Sequence, residues 1–184
     1  MDETIHSLLK ESMNRGSLNP DNIPELDLYI DQIIMLIEQA IGKQPDGQPP
    51  LTRTMIHNYS KAGLISPVKG KKYNKDHIME MYAVYSLKNT LSIEQIKRVL
   101  CALDGTQQNL INEKYQEYLK AKQELREAAY QAIEKIMEGV TADDYAELYL
   151  RLLLLADMGQ MLTDFTRHIA EQCYPDPPAK GKKK

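Results

Sequence analysis

Between Leu51 and Leu103 the chain sets nine Lys/Arg against three Asp/Glu, a surplus of six positive charges in a protein of formal net charge −3. Residues 1–50 carry three against nine, and residues 104–184 carry eleven against fourteen. A basic block inside an acidic chain is the electrostatic footprint of a polyanionic partner. The side chains in the block have the types and spacing for that work. Arg53, Thr54, His57, Asn58 and Lys61 fall together at helical intervals, while Met55, Ile56, Tyr59 and Ala62 form the opposite, inward stripe. Basic groups on such a helix neutralise phosphates, and Asn suits a paired hydrogen bond to an adenine edge in the major groove. Lys69, Lys71, Lys72 and Tyr73 follow at a turn marked by Pro67 and Gly70, where lysines reach flanking phosphates. The blander reading, that the block only balances the acidic remainder, takes second place because the charge comes with this geometry.

Other chemistry finds less support. There is no phosphate-cradling glycine loop, no nucleophile elbow and no Cys-x-x-Cys pair, and His6, His57, His77 and His168 lack the paired spacing of a metal site. No catalytic residue, metal or cofactor is expected, and the chain is not expected to be an enzyme. Cys101 and Cys173 stand alone and are read as reduced core thiols. Lys122, inside an otherwise apolar seam, is read as a register device or a stem lying along the seam.

The elements that must position the basic residues are nearly all helical. Asp2 to Arg15 forms a short amphipathic helix stopped by Gly16. Leu26, Ile30, Ile33, Ile34, Ile37 and Ile41 recur at helical spacing up to Gly42, and "KQPDGQPP" (43–50) is a loop by composition. Thr52 is the expected N-cap of the basic helix, Leu51 its hydrophobic staple onto Ile56, and Gly63 its end. Leu64-Ile65 and Lys72-Tyr73 are expected as two short strands joined across "SPVKGK". A helix from about Lys75 to Asn89 follows, then another capped by Ser92 with Gln95 completing the box. Positions 111, 115, 118, 122, 125, 129, 132 and 136 make a heptad seam. Gly139 breaks it, and Thr141 is the expected cap of a last helix. That helix carries Tyr145, Leu148, Leu152, Leu155, Leu162, Ile169 and Cys173 on one seam and is apolar on every side from Leu152 to Ala156.

At this level three phrases resemble the MerR-type DNA-binding domain of bacterial regulators. The family's recognition phrase, Arg-Thr-Ile-Arg-Tyr-Tyr-Glu-x-x-Gly-Leu-Ile-x-Pro, is matched by Thr54-Met55-Ile56-His57-Asn58-Tyr59-Ser60-Lys61-Ala62-Gly63-Leu64-Ile65-Ser66-Pro67. Its wing phrase is matched by Lys71-Lys72-Tyr73-Asn74-Lys75-Asp76-His77-Ile78, and a later element by Ser92-Ile93-Glu94-Gln95-Ile96-Lys97. The resemblance implies that His57 and Asn58 face the groove, while Tyr59, Lys71 and Tyr73 pack the wing or touch the backbone. The whole chain is also similar to an uncharacterised bacterial family sharing the phrase Thr-x-Thr-Met-Ile-x-Asn-Tyr, here Thr52 to Tyr59.

These readings combine into an all-α protein with a small β wing. A winged helix-turn-helix module is expected at 24–103, after an N-terminal helix and linker at 1–23. A long C-terminal helical hairpin for dimerisation or effector binding follows at 104–174, then a disordered basic tail at 175–184. The expected function is sequence-specific binding of double-stranded DNA by a transcription regulator. It would act as a homodimer paired through Leu148, Leu152, Leu155 and Leu162, with room for a small-molecule effector in the hairpin. The alternative is a helical protein–protein interaction module that uses the winged fold without DNA. No apolar run approaches the roughly 18 residues of a membrane span, and the acidic start is unlike a signal peptide. A cytoplasmic place without membrane contact is therefore expected.

Overall fold

The computed structural model describes residues 2–14, 16–44, 47–68, 70–103 and 108–177, with side chains from 113 onward in the last stretch. In chain order the elements are α1 (Glu3–Met13), a 3-10 turn at Pro20–Asn22, β1 (Leu28–Tyr29), α2 (Ile30–Ile41), α3 (Arg53–Ala62), β2 (Lys72–Tyr73), α4 (Lys75–Leu87), α5 (Ile93–Leu103), α6 (Gln108–Ile136) and α7 (Tyr145–Gln172). Seven α-helices and one two-stranded sheet make the described fold mostly helical. It divides into two compact units, one of Met1–Ser17 with Gln107–Leu162, the other of Leu18–Thr106 with Thr163–Lys184. This partition cuts across the boundaries expected from the sequence. The N-terminal helix belongs with α6 and the first part of α7, and the end of α7 belongs with the basic segment.

In the first of these units the capping carboxylate of Asp2 explains the grouping. It accepts from Ile5 N at 3.0 Å and also from Ala142 N, so one side chain caps α1 and ties it to the turn after α6. The amide groups of Ile5 and then Ala142 hold the Asp2 carboxyl below its ordinary range. Ile5, Met137 and Val140 form the buried centre, with Ile133, Ile136, Ala142, Leu148 and Leu155 packed around it. Lys122 reaches Ser17 Oγ at 2.5 Å and lies 5.9 Å over the Tyr118 ring. Leu125, in the same heptad seam, is exposed. Asp144, not Thr141, caps α7: Glu147 N donates to Asp144 Oδ1 at 3.1 Å, while the Thr141 hydroxyl turns to Asp143 Oδ1 at 2.6 Å.

The other unit has a larger core. Leu18, Ile33, Ile37, Leu51, Ile56, Ile78, Met81, Val84 and Ile96 are fully buried. Ser92 and Gln95 form the expected capping box at α5, Gln95 N donating to Ser92 Oγ at 3.2 Å and Ser92 N to Gln95 Oε1 at 2.8 Å. The end of α7 docks on this box. Gln95 Nε2 donates to Glu171 Oε1 at 2.7 Å, Arg98 Nη1 to Glu171 O at 3.2 Å, and Arg167 Nε to Thr90 O at 2.9 Å. An arginine on the last carbonyls of a helix suits both the unpaired acceptors and the dipole there. Arg98 also pairs with Asp176, within the first residues of the expected tail. Cys101 is half-buried and Cys173 exposed, so neither is the core thiol the sequence implied.

The small sheet differs from expectation. Leu64-Ile65 is not a strand; β2 pairs instead with β1, antiparallel, Leu28 opposite Tyr73 and Tyr29 opposite Lys72. The backbone donors near Leu64 are already used. Leu64 N completes the cap of α3 on Tyr59 O at 2.9 Å, and Ser66 N donates to Glu80 Oε2 at 2.8 Å. Leu26 likewise falls outside α2, because β1 intervenes and Gln32 Oε1 accepts the Tyr29 amide at 2.9 Å, fixing the helix start there.

Candidate nucleic-acid interface

Helix α3 is set by local chemistry at both ends. Thr52 Oγ1 accepts from Met55 N at 3.2 Å, and Leu51 and Ile56, the expected staple pair, are both fully buried. Gly63 closes the helix in the left-handed region, φ 74° and ψ 30°, with Gly63 N on Ser60 O and Leu64 N on Tyr59 O. This Schellman geometry is one a side chain would strain. A semi-buried polar cluster then holds the helix against α4. Lys88 Nζ lies 3.9 Å from Met55 Sδ and 5.0 Å over the Tyr85 ring, and Gln44 Nε2 donates to Tyr85 Oη at 2.7 Å. Burial pushes the Lys88 ammonium below its usual range; burial and then the neighbouring Tyr85 push the Tyr59 phenol up.

The helix is divided as its spacing implies. Ile56 and Tyr59 are buried, Met55 and Ala62 half-buried, and Arg53, Thr54, His57, Asn58 and Lys61 all exposed. Lys71 and Lys72 are exposed as well. Lys72 Nζ sits 5.1 Å over the ring of Tyr29, which holds its stem against β1. Tyr73 is half-buried and meets His77 edge to face at 6.0 Å. It props the start of α4, where Asn74 Oδ1 accepts from His77 N at 3.1 Å. Lys69 lies outside the described residues.

Two acidic partners were not foreseen. Asp31, in the first turn of α2, forms an ion pair with Arg53, and Glu25 Oε1 takes Lys75 Nζ at 3.0 Å. Neither link, across 22 and 50 positions, has a local period to announce it.

The groups expected to pair protomers are divided between two environments. Leu148 and Leu155 are half-buried on the core of their own unit, whereas Leu152 and Leu162 are exposed. The clefts beside α1 measure about 400 Å³, lined by His6, Gln131, Glu134, Lys135 and Glu138, and about 560 Å³, lined by Ser7, Lys10, Glu11, Met13, Asn14 and Tyr130. Most of the residues lining them are charged or polar, unlike those of a typical effector pocket. Among the described residues no group of three or more His, Cys, Asp or Glu is placed to hold a metal ion, and no helix is long and apolar enough to cross a membrane.

Comparison with known proteins corrects the resemblance drawn from the three phrases: no MerR-type or helix-turn-helix family is detected. Part of what carried it, a Thr-capped helix closed by Gly63, is a pattern that helix capping produces in unrelated folds. No curated protein and no solved structure matches the chain. One family model covers residues 18–125, from the first buried residue of the basic unit through all of α3, β2, α4 and α5 into α6. By that match the chain belongs to the family described as "Domain of unknown function (DUF1836)".

Proposed function

We propose that this chain is a sequence-specific binder of double-stranded DNA acting as a transcription regulator, with α2, α3 and the β1–β2 pair working as a winged helix-turn-helix. The observation that carries the reading is the partition of α3. Five polar side chains, Arg53, Thr54, His57, Asn58 and Lys61, stand outward on a helix whose other face is anchored by Ile56 and Tyr59. An α-helix fits the major groove, where Asn58 can read an adenine edge and Arg53 or Lys61 a guanine. Lys71 and Lys72, exposed on the approach to α4, are placed in sequence to take phosphates beyond the groove. The local surplus of six positive charges favours association with any duplex before sequence is read.

In-vitro selection from a random duplex pool tests this reading. Enrichment of a defined motif, with preference relaxed at one base pair in an Asn58→Ala variant that stays folded, is the expected outcome. A pool that shows no enrichment over many rounds contradicts it and leaves the fold to another partner.

A further inference from the structure

Helix α7 shows a second seam, different from the one that packs inward. Tyr145, Tyr149, Leu152, Ala156 and Gly159 alternate by four and three residues, the repeat of a helix that lies along another helix. All five are exposed, Tyr145 at 79 %, Tyr149 at 66 % and Leu152 at 62 %. Leu153 flanks them at 50 %, and a side chain built at Gly159 would meet nothing within 4 Å. From Leu152 to Thr163 the only charged residue is Asp157.

We infer that this seam pairs with the same seam of a second copy, antiparallel, about a two-fold axis at the level of Leu154. The order of sizes selects that arrangement. Large residues occupy the first half of the seam and small ones the second. Antiparallel pairing sets Leu152 opposite Ala156 and Tyr149 opposite Gly159, large against small in both directions, the condition for close interdigitation. Parallel pairing would stack Tyr on Tyr and leave a void at Gly on Gly. A closed two-fold contact uses one surface twice and leaves none over.

Area and charge agree with a second copy as the occupant. At roughly 200 Å² for a large side chain fully exposed, the four large residues hold out about 500 Å². With Ala156, Gly159 and Gln160 the strip reaches about 600 Å² per copy, or about 1,200 Å² for the pair, where specific interfaces begin. A lipid surface would call for basic residues along the polar flank, and Arg151 is the only one between Tyr145 and Leu162. A strongly charged partner would find no complement there. The inference stands apart from the nucleic-acid reading, since a monomer that still selects a duplex motif would overturn the pairing alone.

The experiment uses the full chain. Sedimentation equilibrium at about 10 μM, a concentration where standard interfaces are occupied, should return twice the 21.1 kDa chain mass. Leu152→Asp and Gly159→Arg should each raise the dissociation constant by about 100-fold or more, with helical circular dichroism unchanged because both sites face solvent. Orientation is read by mixing a Tyr149→Cys chain with a Gly159→Cys chain, both carrying Cys101→Ser and Cys173→Ser. Antiparallel pairing gives the mixed disulfide as the main oxidised product. A monomeric parent chain, a dimer that survives both charged substitutions, or like-with-like disulfides would each overturn the inference.

Discussion

Helices α3 and α7 each turn one face inward and one outward, yet their outer faces are opposites. That of α3 carries Arg, Thr, His, Asn and Lys, one of them ion-paired to a neighbouring helix. That of α7, between Tyr145 and Leu162, is mostly tyrosine, leucine, methionine and small residues, with Asp157 and Gln160 among them. Charged and hydrogen-bonding groups stay solvated in isolation and lose little by waiting for a partner. Exposed apolar groups do not, and a patch beyond a few hundred Å² marks a contact surface. The two proposals therefore give the helices different kinds of partner, a polyanion for α3 and a like apolar surface for α7.

The largest expected effect lies beneath the α3 surface. Ile56 is fully buried, so Ile56→Ala should destabilise the basic unit by about 2–5 kcal/mol. DNA binding should be lost through unfolding, visible as a lower melting temperature. If the variant melts like the parent, the inward and outward faces have been assigned the wrong way round. Asn58→Ala should cost about 1–3 kcal/mol on the preferred site and relax preference at one base pair, with melting unchanged because the side chain is exposed. Full preference retained in that variant would remove the helix from the groove.

A smaller change sharpens the contrast from the acidic side. Exposed ion pairs contribute about 0.2–1 kcal/mol, so Asp31→Asn should leave stability nearly unaltered. It frees Arg53 and removes a negative charge beside it, so affinity for any duplex should rise by less than about fivefold, within that same range. A fall in affinity would mean that Asp31 aims Arg53 at its target instead of competing for it.

Legibility followed the range of the interactions. The limits of α3 were readable because Thr52, Gly63 and the Ile56–Tyr59 stripe act within one helix, and the same holds for the Ser92–Gln95 box. The sheet partner of Lys72-Tyr73 was not, since β1 is two residues long and has no period; the cap at Gly63 and the carboxylate of Glu80 decided against Leu64-Ile65. On α7 one seam was named, Tyr145 to Cys173, across a stretch from Leu152 to Ala156 that is apolar on every side. Which of its residues turned inward, Leu148 and Leu155, was decided by Ile5, Met137 and Val140, contacts that no window along the helix contains. α1 is attached to this unit by Asp2 reaching Ala142, a link across 140 positions, and by Ile5 in the buried centre. Of the candidate site, the outward set on α3 was legible, whereas Asp31 and Tyr29, which restrain Arg53 and Lys72, came only from the fold.

The most direct measurement is the affinity of the full chain for a random duplex as salt is varied. If the α3 face and the lysines near β2 neutralise roughly six phosphates per dimer, log affinity should fall against log salt with a slope near about −5, from about −0.9 per phosphate. Lys71→Ala with Lys72→Ala should flatten that slope and weaken all duplexes alike. A parent chain whose binding is absent or indifferent to salt would contradict the DNA-binding account.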